Sequence, residues 1–132
     1  TNMEISVQLV QEDLLSHRKT ILADGKGNYS NRVLTYQEKD NPHIKHEISF
    51  CDDYVILKRH AEIKTETYLR LNKRGIVKIL SPYGEMKLDT KLEEYNRDAD
   101  SIMIRYSIYQ GNEVVTNQTL IWKLKGLGIW VK

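Results

Sequence analysis

Between Ile76 and Glu93 the chain passes from an apolar, β-branched run, through Ser81-Pro82-Tyr83-Gly84, into a strict alternation. Met86, Leu88, Thr90 and Leu92 fall on one side, and Lys87, Asp89, Lys91 and Glu93 on the other. Successive side chains of a strand point to opposite faces, so a period of two means a strand with one buried face. The stretch reads as a strand, a corner and a second, half-buried strand.

The same signature recurs along the chain. Met3, Ile5, Val7 and Leu9 alternate with Glu4, Ser6, Gln8 and Val10, and Gln11-Glu12-Asp13 is expected to end that first strand. Leu15 to Ala23 reads as a second strand, with Asp24-Gly25 and Gly27-Asn28 supplying a turn or bulge. Val33 to Lys39 and Ile44 to Cys51 follow as the third and fourth, separated by Asp40-Asn41-Pro42. Asp52-Asp53 is a two-residue loop into a fifth strand, Tyr54 to His60, which predicts a hairpin. Ile63, Thr65, Thr67, Leu69 and Leu71 mark the sixth, and Asn72-Lys73-Arg74-Gly75 turns into the seventh and eighth described above. Ile102, Ile104, Tyr106 and Ile108 mark the ninth, after a polar loop from Asn96 to Asp100. Gln110-Gly111-Asn112 leads into the tenth, Val114 to Lys125. Helical spacing of apolar residues is not sustained, although Leu14-Leu15 and the region from Lys91 to Asp98 have room for a helical turn.

Eight to ten strands joined by short loops favour an antiparallel meander, and a sheet so wide tends to close on itself and remove its edges. A closed up-and-down barrel is the first expectation and an open two-sheet sandwich the second. At 132 residues a single domain with a real core is expected.

Composition narrows function mainly by exclusion. Lys and Arg total 20 against 18 Asp and Glu, so no dedicated surface for nucleic acid or anionic membrane follows from net charge. The lysines and arginine near the corner, Lys73, Arg74, Lys78, Lys87 and Lys91, are interrupted by Glu85, Asp89 and Glu93 and read as a solvated mixed-charge face. Cys51 is the single cysteine, which forbids an internal disulfide. With no spanning segment and no signal pattern after Thr1-Asn2-Met3-Glu4, a soluble cytoplasmic protein is expected. His43 and His46 lie three apart and point to opposite faces of a strand, so they do not form a metal site together. Cys51 stands beside Asp52 and Asp53, which disfavour a thiolate; Ser81 lacks the glycines of a nucleophile elbow; Glu93-Glu94 lacks a glycosidase geometry. No cofactor motif is present.

Several segments resemble a family of uncharacterised bacterial proteins, the YwiB-like family, a domain of unknown function with a calycin-like β-barrel. Leu34-x-Tyr36-x-Glu38 is similar to its Leu-x-Tyr-x-Glu strand, and Arg59 after Val55-Ile56-Leu57-Lys58 to its Arg after an apolar run. Ser81-Pro82-Tyr83-Gly84-Glu85-Met86 with Thr90 resembles its most recognisable segment, and Tyr106 and Asn117 sit where it has a Tyr and an Asn in successive late strands. Ala61 departs from it, standing where the family often has Gly. The resemblance implies an all-β, antiparallel calycin- or lipocalin-like barrel of eight to ten strands. It implies no activity.

Placed on strand faces, these positions give one inference beyond the fold. Glu38 shares a face with Leu34 and Tyr36, Arg59 with Val55 and Leu57, Thr90 with Met86 and Leu88, and Tyr106 with Ile102 and Ile104. A charge buried alone costs several kcal/mol, so Glu38 and Arg59 are expected to face each other inside the barrel or at its mouth. Tyr36, Thr90 and Tyr106 would complete the cluster, with Tyr83 at the rim. Asn117 disagrees in parity with Leu120, Trp122 and Leu124 unless a bulge intervenes. Two meanings stand side by side: an internal ion pair that holds strand register, or a ligand site. The expected activity is non-enzymatic binding of a small molecule in or at the mouth of the barrel. The alternatives are a filled barrel acting as an interaction domain or homodimer through a strand edge or the apolar tail Gly126 to Lys132, and an enzyme using Glu38 as acid or base.

Overall fold

The computed structural model describes residues 3–126. Ten strands follow one another: β1 (Met3–Asp13), β2 (Arg18–Ser30), β3 (Val33–Gln37), β4 (Lys45–Phe50), β5 (Tyr54–His60), β6 (Lys64–Arg70), β7 (Lys73–Ser81), β8 (Gly84–Arg97), β9 (Ser101–Gln110) and β10 (Glu113–Gly126). Each pairs antiparallel with its sequence neighbours, and β1 also pairs with β10, which closes the barrel. The architecture is calycin-like, and the sandwich is ruled out by that closing ladder. Because the meander runs up and down, the β1–β2, β3–β4, β5–β6, β7–β8 and β9–β10 loops share one end. The remaining loops share the other end.

The alternations seen in the sequence become the inside of the barrel. Ile5, Val7 and Leu9 of β1, Ile102, Ile104 and Tyr106 of β9, and Leu120, Trp122 and Leu124 of β10 are buried together with Leu34, Ile48, Phe50, Val55 and Leu69. Trp122 and Phe50 meet edge to face, with ring centroids 5.1 Å apart, at the centre of this packing. Such a contact adds about 1 kcal/mol to the area both rings bury.

Several boundaries differ from expectation. β1 does not stop before Gln11 but pairs with β10 as far as Asp13, opposite Gln118. β2 begins later, at Arg18, and runs unbroken through both predicted turn sites to Ser30. The turn lies instead at Asn31-Arg32, whose φ of 52° and 64° fit the left-handed positions of a two-residue hairpin loop. Gly27 serves close approach rather than turning: a Cβ there would lie 2.6 Å from the Thr35 carbonyl and 2.8 Å from a Val7 methyl. In the same strand Leu22 is an extra residue at a shift of register opposite Leu9 and Val10. Such a bulge re-aims side chains.

Neither predicted helical turn forms. Leu14 to His17 is a turn, and Lys91 to Arg97 belongs to β8. The β7–β8 hairpin overshoots the barrel, since pairing of β8 with β9 starts only at Asp89 opposite Tyr109. Met86 is consequently 53 % exposed, despite its place in the alternation. On the outer face Arg74 meets Asp89 and Lys87 meets Glu85, in exposed ion pairs worth roughly 0–1 kcal/mol each.

Candidate functional site at the barrel mouth

Cross-strand register builds the site. Tyr36 of β3 lies opposite His46 of β4, His46 opposite Arg59 of β5, and Arg59 opposite Thr65 of β6. These partners form one belt around the inside of the end that carries the β3–β4 and β5–β6 loops. Glu38 follows Tyr36 by two residues, and its amide donates to the Ile44 carbonyl at 3.0 Å, so strand-like pairing persists past the end of β3. Its side chain therefore keeps the inward direction of Leu34 and Tyr36.

There Glu38 Oε2 accepts two hydrogen bonds, from Arg59 Nε at 2.7 Å and from His46 Nε2 at 2.6 Å. The sequence-derived pairing of Glu38 with Arg59 is present, with His46 as a third member. Tyr36 stacks on the His46 ring, with centroids 5.0 Å apart and planes 3° from parallel. Trp122 Nε1 donates to the Tyr36 hydroxyl at 2.9 Å, which ties this cluster to the core.

Below the cluster lies a cavity of about 320 Å³. Leu9, Leu22, Ile48, Leu57, Leu120 and Trp122 supply its apolar wall, and Tyr36, Tyr106, Thr65 and Thr67 its hydroxyls. Gln118 Nε2 donates to the Tyr106 hydroxyl at 2.5 Å, and Gln11 Nε2 donates to Gln118 Oε1. Burial pushes the Tyr106 phenol up to about 12 and the Tyr36 phenol upward as well, so both keep their protons.

Burial pushes the Glu38 carboxyl upward, but the hydrogen bonds and charges of Arg59 and His46 outweigh it and hold the group below its ordinary value. For His46 burial dominates and lowers its value, against the opposing pull of Glu38. The imidazole is neutral at pH 7 and donates from Nε2.

Both depressions have the same sign for stability. Unfolded, His46 takes up a proton below about pH 6.5 and Glu38 below about pH 4.3, while the folded groups resist. Their contribution is complete above about pH 6.5 and is lost as the pH falls through the folded values. A thermal-melting series is expected to show Tm falling from pH 7 to pH 5. The His46→Gln protein should give a flatter profile over that range, and an unchanged slope would contradict the assignment.

Tyr36, Glu38, Arg59 and Tyr106 thus converge on the cavity, while the other two candidates do not. Thr90 is fully buried, but its Oγ1 donates to the Tyr68 carbonyl at 2.7 Å and takes no part in the cavity wall. Tyr83 is 99 % exposed at the tip of the β7–β8 hairpin and borders only a shallow depression outside the mouth. Asn117 faces outward, opposite Ser107; the bulge in β10 lies at Val115, before Asn117, and does not reconcile its parity with Leu120. His46 was legible in the alternation Ile44, His46, Ile48, Phe50. Gln118 was legible in its parity with Leu120 and Trp122. Among the described residues no three His, Cys, Asp or Glu side chains converge as metal ligands. The tail residues Leu127, Ile129 and Trp130 lie outside the described residues.

Comparison with known proteins supports the architecture. No curated protein matches the chain significantly. The ywiB protein from Bacillus subtilis, a solved crystal structure, superposes with a TM-score of 0.64 at 17 % identity, over 96 % of this chain and 92 % of the other. At that identity the likeness concerns the fold. A family model described as a domain of unknown function, DUF1934, matches residues 5–121. With that match covering most of the barrel strands, the chain belongs to the DUF1934 family.

Proposed function

We propose that the barrel binds a small molecule in its lumen, entering through the mouth at Glu38, His46 and Arg59, without chemical conversion. The observation that carries this reading is the cavity itself. Its 320 Å³ falls at the small end of the roughly 300–1,000 Å³ of ligand pockets, and it combines an apolar wall with few, fixed polar groups. A register-holding ion pair alone calls for no space beneath it. An acid role for Glu38 is disfavoured, because a carboxyl held below its ordinary value has no proton to give near neutral pH.

The experiment follows the Trp122 indole N–H by NMR while a compact apolar probe, indole, is titrated into the full chain. Saturable shifts are expected in the unaltered protein. They should vanish in Thr67→Phe, which projects a ring into the cavity from a residue of its wall. Equal binding by Thr67→Phe would move the site elsewhere and overturn the reading.

A second reading, self-association, is favoured by one observation. Among the described residues, 84–88 of β8 pair only with β7, which leaves an edge bearing exposed Met86 without a strand partner. Antiparallel pairing of two such edges about Met86 would set Glu85 of one copy against Lys87 of the other. A dimer mass in solution that Met86→Lys reduces to the monomer would favour it.

A further inference from the structure

The polar groups around the lumen are spent unevenly, and the imbalance describes the ligand. Tyr36 accepts from Trp122, an indole N–H that can only donate, so the hydrogen of the Tyr36 hydroxyl remains unused. Tyr106 accepts from Gln118 Nε2, while the Gln118 oxygen accepts from Gln11. Arg59 spends Nε on Glu38, while neither Nη group bonds to any described residue. Thr65 and Thr67 border the cavity, and neither hydroxyl bonds to any described residue. Against these donors stand three acceptors: Glu38 Oε1, since Oε2 already takes both bonds, the Gln11 amide oxygen and the unprotonated Nδ1 of His46, of which only the Glu38 oxygen carries charge.

A ligand that covered these donors without bonding to them would cost about 1–3 kcal/mol for each, so the occupant that fits best brings acceptors. A planar carboxylate matches the two-pronged Nη edge of a guanidinium, and the phenols supply neutral donors that carry no competing charge. An ammonium would find a single charged oxygen, on Glu38, whose charge Arg59 already offsets, and would face the Arg59 charge itself. The wall fixes the remainder of the molecule. Leu9, Leu22, Ile48, Leu57, Leu120 and Trp122 want an apolar body, and 320 Å³ accommodates on the order of ten non-hydrogen atoms at the volume each water occupies in the liquid.

We propose that the lumen of this barrel is built for a compact monocarboxylate, its apolar body against Trp122 and its carboxylate accepting from Arg59 and the unspent tyrosine hydroxyls. This rests on the small-molecule reading above and names the class of ligand.

The test compares three probes of one shape, 3-phenylpropionate, 3-phenylpropan-1-ol and 3-phenylpropylamine, on the full chain at pH 7, with the Trp122 indole N–H as the reporter. The acid is expected to bind at least tenfold more tightly than the alcohol, and the amine more weakly still. Arg59→Gln should cost the acid tenfold or more and change the alcohol by less than threefold. Tyr106→Phe, which preserves shape, should weaken the acid several-fold and serves if Arg59→Gln does not fold. Equal affinity for acid and alcohol, or preference for the amine, would overturn the carboxylate assignment while leaving lumen binding in place. If no probe perturbs Trp122, the lumen reading falls with it.

Discussion

Truncating Trp122 to alanine is expected to cost about 3–5 kcal/mol, the largest loss for any single side chain in this barrel. The reason is positional. Trp122 is fully buried, meets the Phe50 ring edge to face, and is also part of the cavity wall. Removing it would join the space it occupies to a cavity that already exists, and packed cores collapse only partly into such voids. The Tyr36 hydroxyl would lose its donor at the same time, which frees the ring that stacks on His46. In a urea titration the midpoint should fall steeply with little change in slope. Tm should drop by roughly 10 °C or more. Trp122→Phe keeps most of the apolar volume and should cost less than half as much. A loss below about 1 kcal/mol for Trp122→Ala would mean that the centre of the barrel is not where the packing places it.

Gly75→Ala is expected to be nearly as damaging, about 3 kcal/mol or more, for a reason of backbone rather than volume. A Cβ at Gly75 would lie 2.1 Å from the Tyr68 carbonyl oxygen and 2.6 Å from Thr90 Oγ1. The carbonyl belongs to the neighbouring strand, so relief requires β6 and β7 to part where Thr90 Oγ1 bonds across them. Adding Thr90→Ala to Gly75→Ala should rescue nothing, because the carbonyl clash remains. Thr90→Val alone should cost about 1–3 kcal/mol through the lost hydrogen bond. By contrast, a Cβ at Gly84 or Gly111 meets nothing within 4 Å, and alanine there faces only the positive φ of 133° or 62°. Rescue of Gly75→Ala by the second change would contradict the close approach.

The fold was readable because the apolar alternations of β1, β9 and β10 correspond to faces that are dry and buried. Reading failed where the inner face is polar. Gln11 and Gln118 are joined by a hydrogen bond and both border the cavity, so β1 reads as ending at Gln11 although its ladder continues to Asp13. It failed in the opposite sense at Met86, where alternation persists on a strand segment that has outrun β9 and has no interior to face. Glycine misled twice, at Gly27 and Gly75, since a turn and a close approach between strands both call for a missing Cβ. The sequence offers no means of telling them apart.

For the site, parity alone placed Tyr36, Glu38, Arg59 and Tyr106 inward. It could not supply register. Whether Arg59 meets Glu38 depends on His46 lying between them, opposite Arg59 on one side and Tyr36 on the other. Thr90 shows the same limit from the other direction. It is inward and buried, yet it sits at the Gly75 contact with Tyr68, away from the mouth.

Native mass spectrometry of the full chain isolated from its own host, beside the Thr67→Phe protein prepared identically, tests the central claim most directly. The unaltered chain should carry a bound small molecule, released on activation as an organic acid, and Thr67→Phe should be bare. Two bare proteins, or the same adduct on both, would contradict a lumen built to hold a ligand.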